Sequence, residues 1–65
     1  MEKYKICKMI RRMLVAFANE NNNIVTVMRL ISLDFDKKGD REYFKHYIEG
    51  LVEACADATR ELEEI

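Results

Sequence analysis

The sequence predicts an all-α fold, and three observations support that prediction. Proline is absent and glycine occurs only twice among the 65 residues, so few residues would interrupt a helix. The apolar fraction is 49%, which is too high for a disordered chain. Apolar residues also recur at spacings of three and four, as in a helix that buries one face. We therefore expect a single helical domain over residues 1–65, with two shorter helices and a long carboxyl-terminal one.

The first helix is expected over residues 3–19. Ile6, Ile10, Met13 and Phe17 follow one another at spacings of four, three and four, which places them on one helical face. The run NENNN comes next in the sequence. Asparagine tolerates left-handed backbone conformations and competes for backbone hydrogen bonds, so we expect the helix to stop there.

The second helix is expected over residues 23–35, although its beginning has two interpretations. The opening IVTV is rich in β-branched residues, which favour a strand. Adjacent apolar pairs break the alternation of a strand, and a lone strand would lack a partner in a chain this short. We predict a helix capped by Asn22 or Asn23, and residues 24–30 remain open to the strand interpretation.

The third and longest helix is expected over residues 40–64. Asp40 would cap it, and Gly50 would lie in its interior at the expense of about 0.5–1 kcal/mol. An apolar seam with alternating spacings of four and three runs along it, as in helices that pack against other helices. The seam consists of Phe44, Ile48, Leu51, Cys55, Ala58, Leu62 and Ile65.

The amount of apolar surface predicts a homodimer. A chain of this size buries only about 60% of its unfolded surface and is marginally stable alone. We therefore expect the first and third helices of two copies to form a small bundle. The predicted dimer core consists of Ile6, Ile10, Met13, Phe17, Phe44, Ile48, Leu51, Cys55, Ala58 and Leu62.

Charge is distributed unevenly along the chain, with a basic beginning and an acidic end, although the net charge is only −1. An acidic ridge with a spacing of four is formed by Glu49, Glu53, Asp57 and Glu61, and a basic row is formed by Lys5, Lys8 and Arg12. A solvated face is the simpler interpretation of the ridge. The alternative is that ridge and row are protein-interaction surfaces, since charge complementarity sets orientation and partner choice.

The stretch DFDKKGDREYFK, which starts at Asp34, is similar at its beginning to a calcium-binding loop. Acidic residues and Gly39 occupy several of the expected positions up to Glu42. The twelfth position requires a bidentate carboxylate, but Lys45 stands there and its charge would repel the ion. We expect a polar turn between two helices, and cation binding by Asp34–Glu42 stays an open question.

The sequence contains few residues with the chemistry of a catalytic site. Cys7 and Cys55 lie on or next to apolar stripes, where a cysteine is more often a small core residue than a nucleophile. His46 lies beside the third-helix seam and is expected to be exposed. No pattern typical of an active site, a metal site or a cofactor is present, so we expect neither catalysis nor a cofactor.

Two classes of function remain. The first is a small non-enzymatic interaction module, such as an adaptor, regulator or inhibitor, that docks on a protein partner through charged helix faces. The second is a small DNA-binding regulator that uses the basic first helix or the start of the third helix. Uncharged stretches are too short to span a bilayer and the beginning does not resemble a signal peptide, so we expect a cytoplasmic protein.

Overall fold

The computed structural model describes residues 3–51 and 56–63, and the regular secondary structure within those ranges is entirely helical. This confirms the all-α prediction. The expected number of helices is wrong, because these ranges contain four where three were predicted. The helices are α1 (Lys5–Glu20), α2 (Ile24–Ile31), α3 (Lys38–Glu49) and α4 (Ala56–Glu63). Helix α1 packs against α2 and α4, and α4 also packs against α3.

The single long helix predicted over residues 40–64 is divided into α3 and α4. A straight helix over this range would be about 37 Å long, whereas the longest dimension of the molecule is 34 Å. Helix α3 instead ends at Glu49, and Gly50 is its C-cap residue. The division lets the two halves of the apolar seam face one core within the same chain, which an uninterrupted helix could not do.

The asparagine run ends α1, as predicted, and also begins α2. Asn22 has a positive φ of 57°, a left-handed conformation that asparagine adopts more readily than most residues. The side chain of Asn21 donates a hydrogen bond to the carbonyl oxygen of Phe17 at 2.8 Å. The side-chain oxygen of Asn23 accepts from the backbone N–H of Thr26 at 3.2 Å. Asn23 is therefore the N-cap of α2.

Helix α2 is shorter than predicted. The segment over residues 24–30 is helical, which excludes the strand interpretation, but the helix ends at Ile31 instead of residue 35. Phe35 lies in the segment that follows α2, and its ring is buried in the core. The segment is held in place by side chains from elsewhere: Arg11 donates to the carbonyl oxygen of Leu33 at 2.7 Å, and Arg41 to that of Phe35 at 2.8 Å.

Aromatic rings form the centre of the core. The ring centroids of Tyr4 and Phe35 are 5.6 Å apart, and those of Phe35 and Phe44 are 5.1 Å apart in an edge-to-face arrangement, which is a favourable geometry for aromatic pairs. The buried cluster consists of Tyr4, Cys7, Leu30, Phe35, Phe44, Ile48, Ala58 and Leu62.

The residues predicted as a dimer core divide into groups that differ in burial. Phe44, Ile48, Ala58 and Leu62 are buried within one chain, Ile6 and Ile10 are partly buried, and Met13, Phe17 and Leu51 are exposed. Cys55 of this set, and Ile65 of the seam, lie outside the described residues. Because the first group fills the core of one chain, the described residues of the set most accessible to a second copy are Met13, Phe17 and Leu51.

Candidate functional site

Glu61, the last member of the predicted acidic ridge, binds the amino end of α1. The backbone N–H of Ile6 donates to its Oε2 at 3.0 Å, and the N–H of Cys7 donates to its Oε1 at 2.8 Å. The first N–H groups of a helix have no partner within that helix, and a carboxylate beside them also interacts favourably with the helix dipole. Glu61 therefore caps α1 from α4, 54 residues after Cys7.

The environment of Glu61 changes the acidity of its carboxyl group. Partial burial alone would raise the pKa, but the hydrogen bonds from Cys7 and Ile6 lower it, and the pKa of Glu61 falls below its ordinary value of 4.5. The side chain is therefore ionised at neutral pH. This charge acts within the chain and contacts the backbone of α1.

The other members of the ridge make contacts close to themselves in sequence. Glu49 lies 3.6 Å from Nδ1 of His46, and Asp57 lies 3.8 Å from a guanidinium nitrogen of Arg60. Exposed pairs of this kind contribute between about zero and 1 kcal/mol. Glu53 lies outside the described residues. Of the three ridge residues that the structure describes, Glu49 and Asp57 are exposed and Glu61 has a structural role.

The basic row lies on the surface of α1, where Lys5, Lys8 and Arg12 are all exposed. Lys8 and Arg12 line a crevice between α1 and the end of α2, together with Ile31. Arg11, which precedes Arg12 in the sequence, packs against the core. Its guanidinium carbon lies 4.8 Å from the centroid of the Phe35 ring. Lys8 and Arg12 therefore border an apolar part of α2, whereas Lys5 lies in the first turn of α1, whose backbone Glu61 of the acidic ridge binds.

The loop that resembles a calcium site forms a hydrogen-bonded turn. The backbone N–H of Asp34 donates to a carboxylate oxygen of Asp40 at 2.8 Å, and that of Asp36 donates to the Asp34 carboxylate at 3.0 Å. Helix α3 begins at Lys38, so Asp40 lies in its first turn and is not the predicted N-cap.

The metal-ligating residue types do not form a cluster in the described structure. Within residues 3–51 and 56–63, no group of three or more histidine, cysteine, aspartate and glutamate side chains is arranged to hold a metal ion. Lys45, at the position where a calcium loop needs its bidentate carboxylate, pairs with Glu63 at 3.0 Å and so links α3 to α4.

Cys7 is a core residue. Its side chain is fully buried, and its Sγ donates to the carbonyl oxygen of Ala58 at 3.3 Å. Burial, reinforced by the hydrogen bond and negative charge of Glu61, raises the pKa of the Cys7 thiol to about 12. The thiolate is the nucleophilic form of cysteine, so this thiol is unreactive at neutral pH.

We expect Cys7 to resist alkylation in the folded protein. Iodoacetamide should leave Cys7 unmodified under native conditions and modify it rapidly in urea, because both access and deprotonation require unfolding. Mass spectrometry of proteolytic peptides separates Cys7 from Cys55 and gives the rate at each residue. Native modification of Cys7 as fast as in urea would contradict its placement in the core.

The structure reveals an exposed apolar surface on α1 and α2 that the predicted dimer core only partly anticipates. Among the large apolar side chains of the described residues, seven of the eight that are exposed belong to these two helices. Each of the seven is more than half exposed. They are Met9, Met13, Phe17, Ile24, Val25, Met28 and Ile31. Two features of the sequence indicate this surface: the apolar stripe of the first helix and the adjacent apolar pairs of the second.

Comparison with known proteins gives no relationship: the chain matches no family, no curated protein and no solved structure. None of the helices in the described ranges combines the length and the apolar character that crossing a membrane requires.

Proposed function

We propose that this protein is a non-enzymatic helical interaction module that forms a homodimer and docks on a partner protein through α2. The observation that supports the proposal is the exposed apolar surface of α1 and α2. Monomeric proteins rarely expose contiguous apolar patches larger than a few hundred Å², and larger ones are typical of interaction sites.

Helix α2 supports the docking role most directly. Its sequence IVTVMRLI contains six apolar residues among eight, and its two polar residues, Thr26 and Arg29, share one side. The apolar face of such a helix is normally buried. Only Leu30 is buried, while Ile24, Val25, Met28 and Ile31 are exposed. We call these four exposed residues the α2 face, and we propose that a partner covers it.

The charge around the α2 face indicates the chemistry of that partner. Residues 3–31 contain six basic residues and one acidic residue. Lys8 and Arg12 share a crevice with Ile31 of the α2 face. A segment that combines apolar and acidic side chains fits this arrangement, as when an amphipathic helix lies in an apolar groove with a complementary rim.

Substitution of Met28 by glutamate tests the docking role. We expect Met28→Glu to weaken partner binding at least tenfold, because the new carboxylate would be buried against apolar and acidic groups. The partner is captured from the native host with the tagged wild-type chain, identified, purified and titrated against each variant. Lys38→Gln on α3 changes the net charge by the same amount and should bind normally. Equal affinity of Met28→Glu and wild type would refute docking through α2.

DNA binding is the alternative function, and the exposed basic row on α1 is the observation that favours it. The start of α3 offers less, because Arg41 binds the backbone of Phe35 and Lys45 pairs with Glu63. A mobility shift with duplex DNA that weakens steeply with salt would support this alternative. Loss of the shift in the triple variant Lys5→Gln, Lys8→Gln, Arg12→Gln would locate the surface.

A further inference from the structure

Six exposed residues of α1 lie along one strip of the helix. At 3.6 residues per turn, they fall within an arc of about 120° around the helix axis. Each of them is exposed to solvent. We call this set the α1 strip; its members are Lys5, Met9, Met13, Ala16, Phe17 and Glu20.

The two ends of the α1 strip carry opposite charges. A lysine stands at the amino end, a glutamate at the carboxyl end, and the residues between them are apolar. Lys5, Met9, Met13, Ala16 and Glu20 follow one another at spacings of four, four, three and four. Spacings of three and four keep a seam of side chains facing a neighbouring helix over its whole length.

We infer that a second copy of this chain packs antiparallel on the α1 strip, around a two-fold axis next to Met13. This register places Lys5 opposite Glu20 of the second copy, at both ends of the interface. It also places Met9 opposite the small Ala16, so that the longer side chain has room. The inference rests on the homodimer of the proposed function and adds the surface and the register.

Charge complementarity is the reason for choosing a second copy over a different protein. In a two-fold symmetric interface the same surface must complement itself. The α1 strip does so only when antiparallel, because a parallel pairing would set Lys5 beside Lys5 and Glu20 beside Glu20.

The apolar members of the α1 strip are well exposed, since Met9, Met13 and Phe17 are 56%, 66% and 67% exposed. One helix face of this length is small beside the 800 Å² or so that each partner contributes to a standard interface. We therefore expect dimerisation to depend on concentration.

Reversing one end charge tests the register. Glu20→Lys turns both end contacts of the dimer from attraction to repulsion, and we expect the dimer to dissociate about tenfold more readily at low salt. Weaker folding cannot explain such a loss, because a lysine in the last turn of a helix interacts favourably with the helix dipole. Sedimentation equilibrium measures the dissociation constant, and thermal melting at low concentration checks the fold. Lys5→Glu should weaken the dimer as well, and its melting is compared with that of the wild type because the new carboxylate lies in the turn that Glu61 caps.

Mixing the two variants gives a gain of association that misfolding cannot produce. A Lys5→Glu chain is acidic at both ends of the strip and a Glu20→Lys chain is basic at both, so each complements the other. We expect about nine-tenths of the dimers in an equimolar mixture to be heterodimers, against one half for random pairing. Native mass spectrometry resolves the three species.

The outcomes separate this inference from the function on which it rests. Suppose that the wild type dimerises, that neither charge reversal weakens the dimer, and that the two variants pair at random when mixed. That result would overturn the register and leave the homodimer intact. A wild-type chain that stays monomeric up to its solubility limit would overturn both the homodimer and the inference. Docking through the α2 face is tested separately by Met28→Glu.

Discussion

Replacement of Phe44 by alanine is expected to lower the free energy of unfolding by about 3–5 kcal/mol, the usual range for a buried aromatic residue. The Phe44 side chain is fully buried. Its ring contacts Phe35, whose ring in turn contacts Tyr4, so the cavity would open at the centre of the core. Domains of this size have a total stability of roughly 3–10 kcal/mol. We therefore expect Phe44→Ala to be largely or completely unfolded at physiological temperature.

Phe17→Ala is the matched control, because it removes the same atoms from a side chain that is 67% exposed. Exposed substitutions usually change stability by less than about 0.5 kcal/mol. Both variants are compared by urea denaturation followed by circular dichroism, at a protein concentration low enough to keep the chain monomeric. Equal losses of stability in the two variants would show that the burial of these phenylalanines is assigned incorrectly.

Replacement of Glu61 by glutamine is expected to reduce stability by about 1–2 kcal/mol at neutral pH. The amide oxygen can accept only some of the hydrogen bonds that the two carboxylate oxygens accept from Ile6 and Cys7. The favourable interaction of the charge with the amino end of α1 is lost as well. Glu42→Gln changes the same functional group at an exposed site on α3 and should have an effect below about 0.5 kcal/mol.

The effect of Glu61→Gln should depend on pH in a defined direction. The folded-state pKa of Glu61 is lowered from an ordinary value of 4.5, so the folded state favours the ionised carboxylate. That contribution is fully present above the unfolded pKa and is lost as the pH falls through the folded pKa. The stability difference between wild type and Glu61→Gln should therefore be largest at neutral pH and shrink below pH 4.5. A difference that is independent of pH would contradict the capping role.

Phe17 and Phe44 also show how far the sequence determines the fold. Both lie on helical apolar stripes, and the spacing of each stripe correctly predicts helix. Periodicity identifies the apolar side of a helix, but burial depends on which helices meet. The predicted long carboxyl-terminal helix is divided near Gly50. As a result, α3 and α4 close the core within one chain, and Phe17 lies at the surface.

Features that depend on residues close together in the sequence were predicted more accurately than contacts between residues far apart. The asparagine run was correctly expected to end one helix and cap the next, because both effects act between residues a few positions apart. Glu61 was assigned to an exposed ridge by its spacing, and its contact with α1 could not be predicted because it lies 54 or 55 residues away along the chain. The contact of Arg11 with the carbonyl oxygen of Leu33, 22 residues further along the chain, was missed for the same reason.

The capping of α1 by Glu61 also has a consequence for the order of events during synthesis. On the ribosome, the backbone N–H groups of Ile6 and Cys7 are made 55 and 54 residues before Glu61. Water is their acceptor until α4 has been translated. Contacts between residues so far apart in sequence form slowly, so we expect α1 to acquire its native cap only after α4 has left the exit tunnel.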